Sequence, residues 1–119
     1  MKSVAVFLKE LRLKHQDERL SDMAKKLGVS ASYLSTVETE KRRMNDRLYD
    51  NIIQTYELDE QQAKELDQVR NFAAKKLNIP LEDVGDEKKE MMVKFLSNID
   101  TLDEEDLKKI DLIIKSKEK

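Results

Sequence analysis

Between positions 28 and 43 the chain gathers its most suggestive side chains: Gly28-Val29-Ser30-Ala31-Ser32-Tyr33, then Thr36, then the cation run Lys41-Arg42-Arg43. Their chemistry is hydrogen bonding and charge, not bond making. Serine and threonine hydroxyls both donate and accept, and a tyrosine adds a ring and a phenol. Nucleophilic catalysis would need a base beside a hydroxyl, and the only histidine, His15, stands apart in the polar stretch KHQDER, where it reads as an exposed loop residue. Cysteine is absent, which excludes disulfides, thiolate nucleophiles and zinc-thiolate sites. Neither a phosphate-cradling glycine loop nor a metal-ligand cluster is legible, so the expectation is a chain that is no enzyme and takes no cofactor or metal.

The charge is uneven. A net charge of -2 over 119 residues hides a positive N-terminal half and a negative C-terminal one. Residues 1–57 carry 11 Lys and Arg against 9 Asp and Glu, whereas residues 58–119 carry 12 against 16. Four cations fall within KRRMNDR, residues 41–47. A basic patch beside a row of hydroxyls suits a polyanion.

These residues need a scaffold, and its elements are legible. Two glycines, one proline and 40% charged residues predict an all-helical protein with a thin core. Val4, Phe7, Leu8 and Leu11 mark the first helix, ending near Lys14, and Leu20, Met23, Ala24 and Leu27 mark a second over about 19–27. Gly28 then stands where a helix needs a residue tolerant of positive φ, Ser30 can cap a new helix, and Leu34 and Val37 supply that helix's inner face. Two short helices around such a turn form a helix-turn-helix. Asn45 or Asp46 can cap a fourth helix bearing Leu48, Ile52, Ile53 and Tyr56. Asp59 with Gln62 forms a capping box for a fifth, with Leu66, Val69, Ala73 and Leu77 inward.

A linker is expected near 78–86, around Pro80 and Gly85. Beyond it Asp86 is the expected cap of a sixth helix and Asp103 of a seventh. Their apolar stripes, Met92-Phe95-Leu96-Ile99 and Leu107-Ile110-Ile113-Ile114, are candidate surfaces for a dimer or a partner. The methionines read as core material. No run approaches the length of a membrane span, so a cytoplasmic protein with no membrane contact is expected.

The stretch LSDMAKKLGVSASYLSTVETEKRR resembles the Xre-type regulators, the helix-turn-helix family of the phage lambda Cro and CI repressors. The resemblance rests on Met23-Ala24, Leu27-Gly28-Val29-Ser30, Leu34, Val37, and Glu38 before a basic loop, and covers about the first 58 residues. Two positions differ from the common pattern: Leu20 replaces a frequent glutamine, and Glu40 replaces the usual glycine of the basic loop. The resemblance implies a lambda-repressor-like helix-turn-helix bundle at 1–58 that binds double-stranded DNA, followed by a helical extension at 59–119. A recognition helix enters the major groove by its N-terminal end, which makes Ala31, Ser32, Tyr33 and Thr36 the base-reading candidates. Ser30, Lys41, Arg42 and Arg43 are the phosphate candidates, with Ser30 also a helix cap. Tyr33 has a competing reading as half-buried core, and Glu38 reads as a brace rather than a DNA contact.

The function so implied is a homodimeric repressor or autorepressor on a pseudo-palindromic operator. The acidic second half leaves two other readings open: an antitoxin whose C-terminal helices bind a toxin, and a phage-derived protein inhibitor that keeps the fold.

Overall fold

The computed structural model describes residues 1–74 and 79–118. The described residues are all-helical, without a strand: α1 Val4–Lys14, α2 Leu20–Leu27, α3 Ala31–Glu38, α4 Asp46–Thr55, α5 Glu60–Ala73, α6 Asp86–Ser97, a single 3-10 turn Ile99–Thr101, and α7 Glu104–Lys117. No described helix is long and apolar enough to cross a membrane.

Most starts are set by one side chain. Ser3, Ser30, Asn45, Asp59 and Asp103 each accept a hydrogen bond from an amide two or three residues into the following helix. Asp59 with Gln62 and Asp103 with Asp106 close reciprocal capping boxes. The expected cap at Asp86 is displaced by one residue. Gly85 occupies that position without a side-chain bond, and Asp86 is the first helical residue, where its carboxylate faces the positive end of the helix dipole.

The chain divides into two compact units, Met1–Leu77 and Asn78–Lys119. In the first, α2 packs on α3 and α4, and α1 packs on α3 and α5. Leu8, Met23, Leu34, Ile52 and Leu66 are fully buried there, joined by Val4, Leu11, Val37, Leu48 and Val69. The stripes at i, i+3, i+4 and i+7 thus meet in one core.

That core runs past the expected boundary at 58. Leu66 and Val69 of α5 are buried, and Arg70 anchors the same helix to the start of α4. Its guanidinium lies 4.3 Å from the Tyr49 ring centroid, bonds the Met44 carbonyl at 3.3 Å, and pairs with Asp46 and Asp67 at 3.0 Å each. A helix that supplies core residues and a buried arginine belongs with the helices it covers, so the division falls after α5. Leu77, expected on its inner face, lies outside the described residues.

His15 is also placed differently from expectation. It caps the C-terminus of α1, half-buried, with Nδ1 2.8 Å from the Leu11 carbonyl and its ring edge-on to Tyr56 at 4.8 Å. Among the methionines, Met23 and Met44 are core, whereas Met1 and Met91 are exposed and Met92 is half-buried.

In the second unit, residues 79–85 form no helix, and the Val84 N–H closes a turn on the Leu81 carbonyl at 3.1 Å. Neither α6 nor α7 contains a buried residue.

Candidate nucleic-acid interface

The turn between α2 and α3 is built by backbone geometry. Gly28 adopts φ 70°, ψ 29°, the left-handed region that a Cβ disfavours. Its N–H reaches the Lys25 carbonyl at 3.2 Å, and the Val29 N–H reaches that of Ala24 at 3.0 Å, which closes a Schellman pair and ends α2. Two residues later Ser30 Oγ accepts the Tyr33 N–H at 3.1 Å and starts α3. One glycine and one serine therefore fix where each helix stops and starts.

α3 is held from its inner side. Leu34 and Val37 are buried in the core, and the Glu38 carboxylate pairs with the Arg12 guanidinium in a buried contact. The same Arg12 Nη1 lies 3.4 Å from Met23 Sδ, so one side chain of α1 touches both α2 and α3. Glu38 is spent on this brace, which agrees with its reading from the sequence.

A second brace fixes α2. Glu18 accepts the Tyr56 hydroxyl at 2.6 Å and pairs with Lys26, whose Nζ lies 5.6 Å from the Tyr56 ring centroid. Burial pushes against the charged form of Glu18, yet the hydrogen bonds from Lys26 and Tyr56 outweigh it and hold the carboxyl below its ordinary value. Burial first, and then the bond to Glu18, raise the Tyr56 phenol well above its ordinary range, so it stays protonated and donates.

The outer side of α3 carries the base-reading candidates. Ala31 and Ser32 are exposed at the N-terminal end, with Ser30 exposed just before them. Tyr33 and Thr36 are half-buried and already engaged: the Tyr33 hydroxyl accepts from Asn45 Nδ2 at 3.3 Å, and the Thr36 hydroxyl donates to the Tyr33 carbonyl at 2.6 Å. Thr36 keeps its acceptor lone pairs, whereas Tyr33 leans toward the start of α4. Ser35 and Thr39 were absent from the sequence-derived candidates. With Ser32 and Thr36 they make a hydroxyl row at i, i+3, i+4 and i+7, the spacing rule for apolar faces applied to polar residues.

The cations hang from the end of this helix. The Lys41 and Arg42 N–H groups both donate to the Thr36 carbonyl, at 3.0 and 3.2 Å, and Met44 anchors the loop in the core. Lys41, Arg42 and Arg43 are exposed. Lys41 and Arg42 make no ion pair among the described residues, and Arg43 donates to Asn71 Oδ1 at 3.3 Å. All three line a groove of about 240 Å³ together with Val4, Met44 and Arg70. Glu40, where the resemblance leads one to expect glycine, takes φ 63°, and its Oε1 accepts the Val4 N–H at 3.4 Å. The loop therefore keeps the left-handed residue although the side chain differs.

Arg47 is a further cation that the sequence candidates left out. It is exposed as the second residue of α4 and lines a shallow dent of about 390 Å³ with Gly28, Tyr33, Asn45 and Asn51. Its place in KRRMNDR was the available signal.

Comparison of the chain with protein-family models, with curated proteins and with solved structures finds no match.

Proposed function

We propose that residues 1–74 form a lambda-repressor-like helix-turn-helix bundle and that the chain is a sequence-specific DNA-binding regulator of transcription in the cytoplasm. It acts without catalysis as a homodimeric repressor on a pseudo-palindromic operator. The observation that carries this reading is the two-sided character of α3. Its inner side is fixed by Leu34, Val37 and the Glu38–Arg12 pair, its outer side carries only small residues and hydroxyls, and three exposed cations follow its end.

Each feature answers a need of duplex recognition. Small residues at the helix start let the backbone approach base edges, and hydroxyls can accept from or donate to them. Ser32 is the principal reader, with Ala31 placed for a thymine methyl and Thr36 further along the same face. Lys41, Arg42 and Arg43 neutralise phosphates and fix orientation without reading sequence, and Arg47 adds a fourth contact. Serine discriminates weakly between bases, so the shape of the DNA supplies part of the preference.

Selection of bound fragments from random duplex DNA, followed by footprinting, tests the reading. Two related half-sites are expected, about one helical turn of 10 to 10.5 base pairs apart or at a simple multiple. Protection of a single asymmetric half-site at saturating protein would overturn the two-fold operator, and recovery of no preferred sequence would overturn the regulator.

A second reading draws on the uncovered apolar faces of α6 and α7. There the extension receives a toxin, and DNA binding serves autoregulation. A basic toxin that co-purifies with the chain and docks on those faces would favour it.

A further inference from the structure

Large apolar side chains crowd the surface of the second unit: Met91, Val93, Leu96, Ile99, Leu107, Leu112, Ile113 and Ile114 are all exposed. Short helices are marginal in water, so faces of this kind need a cover. The question is what covers them, and the charges on the two helices decide it.

Residues 79–118 carry 12 carboxylates against 7 lysines, a balance that points at first to a basic partner. The surplus is not on the helices. α6 has three acids, Asp86, Glu87 and Glu90, against Lys88, Lys89 and Lys94, and α7 has four acids against four lysines. The excess sits in the segments before, between and after them. Neutral helices give no electrostatic reason for a basic partner, and they do not repel their own copies.

Along α7 the charges are also sorted by position. Glu104, Glu105 and Asp106 fill the first turn, whereas Lys115 and Lys117 fill the last. Two such helices laid parallel would set like charge beside like charge at both ends. Laid antiparallel, each acidic turn meets a lysine end, and the helix dipoles oppose one another favourably. Leu107, Ile110 and Ile114 follow steps of three and four, the seam of a packed helix pair.

Size completes the argument. A stable interface needs about 800 Å² from each partner, and a 14-residue helix is only about 21 Å long. One helix pair is too small, so the stripe of α6 must take part, which makes four helices, two from each copy.

We propose that a second copy of this chain covers the C-terminal unit, with α7 antiparallel to α7 of the other copy and the α6 stripes completing an isologous four-helix core. The proposal deepens the DNA reading by naming the surface that joins the two heads. It is tested without DNA, so its failure and that of the DNA reading are separable.

The chain has no cysteine, which allows an orientation test on the full-length protein. Glu104→Cys and Lys117→Cys proteins, one enlarged by a neutral tag, are mixed in equal amounts and mildly oxidised. The expected product is the mixed disulfide between positions 104 and 117, with little between two positions 104. Dominant 104–104 product would show a parallel pair and overturn the proposal. A dimer that forms neither disulfide would place α7 outside the interface. Sedimentation of the unmodified chain gives the second readout: a dimer at tens of micromolar is expected, and a monomer refutes it. Ile114→Asp should weaken that dimer at least tenfold, since it removes one apolar side chain from the seam, and an unchanged dissociation constant would count against the interface.

Discussion

The two halves of this chain use the same sequence pattern to different ends. Leu8, Leu34 and Ile52 of the first unit and Leu96, Ile110 and Ile114 of the second occupy equivalent positions on amphipathic helices, yet the former are fully buried and none of the latter is. Periodicity fixes which side of a helix is apolar. It does not say what that side meets. In the first unit α1 to α5 cover one another, whereas α6 and α7 keep uncovered faces, and only the distribution of their charges indicates an occupant.

The largest expected contrast lies in how the halves respond to a broken ion pair. Arg12→Met leaves Glu38 buried without a partner and should destabilise the first unit by about 3 to 5 kcal/mol. Replacing both members, Arg12→Met with Glu38→Leu, should cost much less, because no charge is then stranded. Lys115→Met removes an exposed partner of Asp111, 3.0 Å away, and should change thermal stability by less than about 0.5 kcal/mol. Thermal melts of the three proteins measure this, and equal effects at both sites would remove the distinction between the units.

Truncation after Val84 sharpens the comparison from the other side. The first unit holds its own core, so the shortened chain should keep the parent's cooperative melt. It should be monomeric and lose operator affinity while retaining weak, salt-sensitive binding to any duplex. Sedimentation and a salt titration of duplex binding give both results. A truncated chain that stays dimeric would move the dimer interface into the first unit.

Within the first unit, the cations and the hydroxyls should separate. Arg42→Ala with Arg43→Ala should weaken binding to every sequence and lower the slope of log affinity against log salt by about 2, since each lost phosphate contact releases roughly one counterion fewer. Ser32→Ala should cost about 1 to 3 kcal/mol on the cognate site alone. A changed base preference with an intact slope in the arginine variant would reverse these roles.

Acid should act through the Glu18 brace. Its folded-state pKa lies below the ordinary 4.5, held there by Lys26 and Tyr56 against burial. Its stabilising contribution is therefore complete above the ordinary value and is lost as pH falls through the lower folded value. In Glu18→Gln this part of the acid dependence should vanish, with the melt at neutral pH lowered. An unchanged difference between the two proteins from neutral pH to below 4 would show that ionisation of Glu18 contributes nothing to the acid dependence.

Much of this was legible in the chain itself. The order of seven helices, the capping box at Asp59, the cap at Asp103 and the turn at Gly28 follow from local rules that act within four or five residues. What escaped acts over distance. Arg12 meets Glu38 across 26 positions and Arg70 reaches Met44 across the same interval. No periodicity marks either partner, and the second contact helps tie α5 to the core that its Leu66 and Val69 complete. The Ser35 and Thr39 hydroxyls are hard to see for another reason: helical spacing is a strong signal in apolar residues, which must share a core, and a weak one in hydroxyls, which need not.

The smallest expected effect concerns the two left-handed positions that frame α3. At Gly28 a Cβ would meet nothing within 4 Å, so Gly28→Ala carries only the backbone penalty of φ 70°, and should destabilise the first unit by about 1 kcal/mol. Glu40 already bears that penalty at φ 63°. Glu40→Gly should relieve it, offset by the greater backbone freedom of glycine in the unfolded chain and by loss of the 3.4 Å bond from Val4. The balance is a stabilisation of about 0.5 kcal/mol, or a few degrees in Tm for a unit of this size. Calorimetry of both variants resolves the sign at each site. If Glu40→Gly melts below the parent, the Val4 contact outweighs the strain, and the glutamate is a tether between this loop and the start of α1 rather than a tolerated substitute for glycine.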